Sequence, residues 1–212
     1  TQMAQYAGDC APARTILVEH DVTFDLYEQL LRLDGDWELR DQAARWRRFE
    51  TAAWSEVDRV VVMSEKDRRA VTTHNAVVLA NGVDLERFRP AAGEPEPRRL
   101  LFIGSFAHLP NLKALDFFLR EVWPRLEGAT LHVIAGARHD YHRVRAGIRI
   151  EAPGVEVEGF VADVRPAYRR AAVVIAPLLA SAGTNIKIME AMAMGKAIVS
   201  TPAGINGLDL EP

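Results

Sequence analysis

Apolar and polar positions alternate along this chain in two rhythms. In the first third, short β-branched runs stand at Thr15–Val18, Val60–Met63 and Val77–Leu79, the pattern of buried strands. Between them, Leu39, Ala43, Trp46, Phe49, Ala53 and Val57 recur at three- and four-residue spacing, which predicts an amphipathic helix. The dipeptide Asn81-Gly82 is a turn signal. From Arg89 to Arg99 proline, glycine and glutamate interrupt both rhythms, marking a domain boundary. Beyond it the alternation becomes regular. Strands are predicted at Leu100–Ile103, Leu131–Ala135, Val155–Val157, Val173–Ala176 and Ala197–Ser200. Helices are predicted near Leu112–Leu126, Asp140–Ala146, Asp163–Ala171 and Asn185–Met194.

Repeated strand–helix–strand units predict an α/β fold with a doubly wound, Rossmann-like parallel sheet, here in strand order 3-2-1-4-5. Ligands on such sheets bind at the carboxyl ends of the strands, so the chemistry belongs just after Ile103, Val157, Ala176 and Ser200. The expected organisation is a partial α/β lobe over residues 1–88, a linker over 89–98 and a nucleotide-binding lobe over 99–212.

Composition narrows the classes. Apolar residues make up 49% and charged residues 26%, the balance of a globular chain with a real core. The net charge of −3 gives no basic footprint for nucleic acid. With Cys10 as the one cysteine there is no intrachain disulfide and no cysteine zinc site, which fits a cytoplasmic protein. No apolar run approaches the ~20 residues that span a bilayer. The start TQMAQYAGDC has neither a leader pattern nor an initiator Met, which fits a fragment of a longer chain.

The stretch SAGTNIKIMEAMAMGKAIVSTPAG, residues 181–204, carries the most chemistry. Thr184 or Asn185 can cap a helix that Gly195 ends. A helix N-terminus is a ready anion site. Gly183 lets backbone approach a phosphate closely, and Lys187 in the first turn can meet the same anion. Glu190 stands among Ile186, Ile188, Met189, Ala191, Met192, Ala193 and Met194, so its carboxylate needs partners. Lys187 and Glu190 share a helix face. They suit an intrahelical ion pair, or a site where Glu190 accepts from ribose hydroxyls and Lys187 neutralises a diphosphate; the residues alone support either reading.

This stretch resembles the donor-site signature of the family 4 retaining glycosyltransferases, in the subgroup whose motif runs G-G-T-R-x-K-x-x-E-A-M-A-x-G. The resemblance extends over nearly the whole chain: Glu19-His20-Asp21, VVVMSEKD, NGVDLERF, LLFIGSF and VEGFVADVRPAY occur in the family's order. It implies a GT-B-type fold and transfer of a sugar, with retention, from a nucleoside-diphosphate sugar to the hydroxyl of a sugar or lipid-linked acceptor. It implies no cofactor and no catalytic metal, a role in polysaccharide or glycolipid assembly, and compatibility with peripheral membrane association. Residue by residue, it assigns the ribose to Glu190, the phosphates to Lys187, and the diphosphate and sugar to the backbone of Gly183, Thr184 and Asn185. It also places Phe160 and Val161 at the nucleobase through their backbone edge, and His20 at the donor sugar from the acceptor side. Two departures matter. Ala182 stands where many members carry a second, sugar-contacting Glu. The loop from Gly104 to Asn111 lacks the usual Arg and Lys, with Lys113 displaced.

Each candidate also has a plainer reading. Gly104-Ser105 faces a phosphate or is an ordinary strand exit. The Phe160 side chain is expected in the core. His20 is a site residue or a surface histidine. Asp163 reads as a helix N-cap with Pro166 in the first turn. His139, Asp140 and His142 lack helical metal-ligand spacing, and no metal site is expected. There is no G-x-G-x-x-G of a dinucleotide enzyme. A non-catalytic nucleotide-sugar-binding lobe, or a degenerate partner subunit, is the rival reading.

Overall fold

A computed structural model describes residues 2–90, 92–208 and 210. The chain divides into two compact units, Thr1–Asn81 with Ala180–Asn185 and Ile205–Pro212, and Gly82–Leu179 with Ile186–Gly204.

The first unit opens with a 3-10 segment, Gln2–Cys10, and holds a parallel sheet in the order β1 (Ile16–Glu19), β2 (Arg59–Val62), β3 (Ala76–Val78). Its helices are α1 (Thr23–Asp34), α2 (Trp37–Ser55) and α3 (Glu65–Ala70). Val22, Phe24, Trp54, Val57, Val60, Val62 and Val71 form its core. Helix α1 was not anticipated, although Phe24, Leu30 and a C-terminal glycine marked it: Gly35 adopts φ 67° and its N–H reaches Leu31 O. Val22 cannot cap α1, and buried Glu50 does so from α2, accepting from the N–H groups of Thr23 (2.8 Å) and Phe24 (3.0 Å). Burial raises the Glu50 carboxyl, those N–H groups oppose the shift, and Glu19 adds to it.

The second unit is the predicted doubly wound sheet. Its strands are β4 (Arg99–Ile103), β5 (Thr130–Ile134), β6 (Val155–Glu158), β7 (Val173–Ala176) and β8 (Ala197–Ser200). All pair in parallel, in the order β6-β5-β4-β7-β8, which is 3-2-1-4-5. Alternate residues serve opposite faces. Phe102, Leu131, Val133 and Ile175 pack on one side, with Leu112, Leu115 and Phe118. Leu101, Ile134 and Val174 pack on the other, with Tyr168, Ala191 and Met194. The helices are α4 (Leu109–Phe117), α5 (His139–Arg145), α6 (Arg165–Arg170) and α7 (Ile186–Ala193). A π turn, Phe118–Val122, and a 3-10 turn, Trp123–Arg125, prolong α4 where one helix to Leu126 was expected.

Asn81-Gly82 forms no turn; it is where the units divide. The turn comes later, where Asp84 Oδ1 accepts from the N–H groups of Glu86 and Arg87, each at 3.0 Å. The described residues of the expected 89–98 linker group with the second unit, where Glu96 N donates to Arg170 O at 2.9 Å. No helix among the described residues is long and apolar enough to cross a membrane.

Candidate functional site

In the second unit, three neighbouring strands leave the sheet through glycine: Gly104 after β4, Gly136 after β5 and Gly159 after β6. Two of these positions leave no room for a side chain. A Cβ on Gly104 would lie 2.7 Å from Asn111 Cγ. One on Gly136, at φ 77°, would lie 3.0 Å from Ser105 Oγ. These two glycines make room for the side chains of Asn111 and Ser105 at the carboxyl end of the sheet.

Helix α7 carries Lys187 and Glu190 and ends in the expected glycine cap. Gly195 takes φ 65°, and Lys196 N donates to Ala191 O at 2.9 Å. The two ionisable residues do not pair with each other. The Lys187 ammonium donates to Asn111 Oδ1 at 2.8 Å and lies 5.5 Å from the centre of the Phe102 ring. Burial lowers its pKa to about 8, and no carboxylate raises it back. Asn111 is joined to the strand exit as well, because its Nδ2 donates to Ser105 O at 3.0 Å.

Glu190 meets a buried phenol instead. Tyr168 is fully buried on α6, and its O–H reaches Glu190 Oε2 at 2.9 Å and Lys187 O at 3.0 Å. Burial raises the Glu190 carboxyl, while the Tyr168 hydrogen bond and the Arg87 charge pull it down. Burial, and then Glu190, push the Tyr168 phenol upward. Asn111 and Tyr168 were not singled out in the sequence. Neither lies near α7 along the chain, and a tyrosine among apolar residues reads as core.

The nucleobase candidates divide. Val161 is partly buried against the core. Phe160 is 75% exposed, which corrects the expectation of a core side chain: β6 ends at Glu158, and the loop that follows turns this ring to solvent. Ser105 Oγ accepts from Ala107 N at 3.3 Å.

The remaining site candidates lie in the first unit. His20 is exposed just after β1. Gly183 has φ 50°, and a Cβ there would overlap Asp21 Oδ1 and lie 2.6 Å from His20 O. Its loop is clamped by α1: Gln29 Nε2 donates to Ser181 O at 3.1 Å, and Ser181 N donates to Gln29 Oε1 at 3.0 Å. Lys66 Nζ adds a bond to Ser181 O at 3.3 Å. Asn185 Nδ2 donates to Ser181 Oγ at 3.0 Å. Thr184 Oγ1 is buried without a partner, so it does not cap α7.

The reading of Asp163 as a helix cap is corrected by geometry. Asp163 does not occupy the cap position of α6, which falls on Val164. It accepts from Arg165 N at 3.1 Å and pairs with the Arg165 guanidinium, which lowers its carboxyl to about 2. A cavity of about 600 Å³ between His139, Arg143, Glu151 and Val157 lies away from Lys187. Arg143 there is already paired with Asp140 and Glu151, so the cavity offers no free guanidinium to a phosphate. Among the described residues no group of three acidic, histidine or cysteine side chains could hold a metal ion.

The family described as glycosyl transferases group 1 matches residues 97–209, which is more than half of the chain. The chain belongs to that family. No curated protein sequence matches it. Sucrose-phosphate synthase from Thermosynechococcus elongatus superposes with a TM-score of 0.76 at 16% identity, over 98% of this chain and 54% of that one. Anabaena HepE in complex with UDP and glucose gives 0.63 at 16% identity, over 93% and 55%. S. aureus TarM in complex with UDP gives 0.67 at 14% identity, over 92% and 38%. These are GT-B glycosyltransferases, and the fold is theirs. The chain spans about half the length of the first and second, and less of the third.

Proposed function

We propose that the second unit binds a nucleoside-diphosphate sugar, and that the protein it represents transfers the sugar to an acceptor hydroxyl with retention. One observation carries this reading. The Lys187 ammonium is buried next to a strand exit with only a neutral amide oxygen as partner. A charge held there without a counter-ion suits an anion brought by the ligand. Glu190 takes the ribose hydroxyls, with the Tyr168 phenol fixing its carboxylate. Gly104 and Ser105 offer backbone to the phosphates, and exposed Phe160 with Val161 borders the base. The family resemblance assigns the amides of Gly183, Thr184 and Asn185 to the diphosphate and His20 to the sugar.

The work of catalysis in such a site is to stabilise the departing diphosphate. A fixed ammonium and helix-terminal N–H groups do this in place of a metal, because they need no reorganisation as charge develops. Anabaena HepE and S. aureus TarM were crystallised with UDP, which supports a nucleotide donor.

Calorimetric titration with UDP, GDP, ADP and the matching nucleosides tests the reading. Glu190→Gln should weaken the nucleoside about tenfold or more, since bonds to a charged acceptor contribute ~1.5–3 kcal/mol. Unchanged affinity in a folded variant would remove Glu190 from the site. Ala182, where relatives carry a sugar-contacting Glu, favours a second reading as a binding lobe without turnover. Product analysis with a panel of nucleotide sugars decides between them: transfer with inverted configuration, or binding without transfer, defeats the first.

A further inference from the structure

The partner of Lys187 is informative because of what it is not. Asparagine and aspartate have nearly the same shape, and position 111 carries the neutral one. The orientation of its amide is fixed by the network: Nδ2 donates to Ser105 O at 3.0 Å, so Oδ1 faces the ammonium at 2.8 Å. Among the described residues no anion is paired with Lys187. Strand β4 presents the Phe102 ring, and α6 presents the Tyr168 O–H to the Lys187 carbonyl. Glu190, on the same helix, is engaged by Tyr168 and feels the Arg87 charge. Room for the amide comes from Gly104, where a Cβ would lie 2.7 Å from Asn111 Cγ and 2.8 Å from Oδ1.

We propose that Asn111 is a positioning residue of the diphosphate subsite, holding the Lys187 ammonium beside the Gly104–Ser105 loop without neutralising it. The inference rests on the reading of α7 as the donor site. A carboxylate at 111 would form an ion pair with Lys187 and keep it protonated to higher pH. It would also repel the diphosphate. The neutral oxygen orients the same cation and leaves its whole charge for the ligand. Gly104 belongs to this arrangement as the residue that makes space for it.

The test is titration of the whole chain with UDP, GDP, ADP and their nucleosides, for the wild type, Asn111→Asp, Asn111→Ala and Gly104→Ala, with melting temperatures as the check on folding. Diphosphate affinity at pH 7 should fall several-fold in Asn111→Ala and Gly104→Ala, and at least tenfold in Asn111→Asp, while nucleoside affinity stays within twofold. Wild-type affinity should weaken as the pH rises from 7 to 9, a window above the phosphate pKa of ~6. Asn111→Asp should be weak and flat over that window, because its lysine stays charged. Asn111→Asp binding like the wild type, with the same pH profile, overturns the inference and leaves the donor-site reading standing. Equal losses of diphosphate and nucleoside in the variants show a merely structural role and also overturn it. A wild type that binds none of the three diphosphates overturns both.

Discussion

Replacing Lys187 by methionine should make the unliganded protein more stable at neutral pH while weakening the proposed binding of a diphosphate. Methionine keeps the length and the apolar stem beside Phe102 and removes the charge. Burial lowers the lysine from 10.5 to about 8, so folding disfavours its charged form. At about 1.4 kcal/mol per pH unit, the charged side chain destabilises the native state by at most about 3.5 kcal/mol. Although the ammonium is buried, the Lys187 side chain as a whole keeps partial solvent access and water relieves part of this cost, while the variant strands Asn111 Oδ1 at ~1–2 kcal/mol. A net gain on the order of 1 kcal/mol is expected at pH 7. Below pH 8 both folded and unfolded lysine are protonated, and the penalty is present in full. Between 8 and 10.5 the unfolded chain binds more protons than the folded one, so wild-type stability rises with pH. Above 10.5 the penalty is gone, and Lys187→Met should have lost its advantage. Urea denaturation of both proteins at pH 7 and pH 10.5 measures the difference. A variant less stable at pH 7, or an offset independent of pH, would refute the reasoning, because an ordinary packing lysine behaves that way.

Three further expectations follow from neighbouring features. Tyr168→Phe deletes the donor shared by Glu190 and Lys187 O, and should cost ~1–3 kcal/mol in denaturant unfolding while moving the Glu190 carboxyl further up in an NMR titration. Gly183→Ala meets both a left-handed backbone, worth roughly 1–2 kcal/mol, and the His20 carbonyl, and should lower the melting temperature; an unchanged melting temperature would mean that this loop sits elsewhere in solution. The Asp163 carboxyl should titrate near 2 and return toward 3.8 in Arg165→Ala, as followed by carboxyl NMR shifts.

The sheet of the second unit was legible because each strand there is a short β-branched run bounded by turn residues, and alternate residues of β4, β5 and β7 serve opposite cores. Helix α1 was harder to read. Its polar positions Asp25, Glu28 and Gln29 break the apolar stripe, because its partners include a side-chain clamp on residue 181 as well as a core. The pairing of Lys187 with Glu190 is what local spacing favours, yet each turns to a partner on another element. Tyr168 lies 22 residues from Glu190 and Asn111 lies 76 from Lys187, distances over which spacing rules carry no information. Phe160 illustrates the converse. Aromatic composition argues for burial, and only the exit geometry of β6 shows the ring facing water.

The assignment of Ala180–Asn185 to the first unit has a practical consequence for dividing this protein. The chain passes from one unit to the other at Asn81–Gly82, Leu179–Ala180, Asn185–Ile186 and Gly204–Ile205, so no single cut yields two self-contained pieces. A fragment started in the 89–98 segment, where sequence alone places the boundary, still carries Ser181 but leaves Gln29 and Lys66 behind. The peptide groups they satisfy would then be left to solvent, along with a glycine held at positive φ. Such a piece would keep the sheet that carries Lys187 and lose the hold on the loop feeding α7.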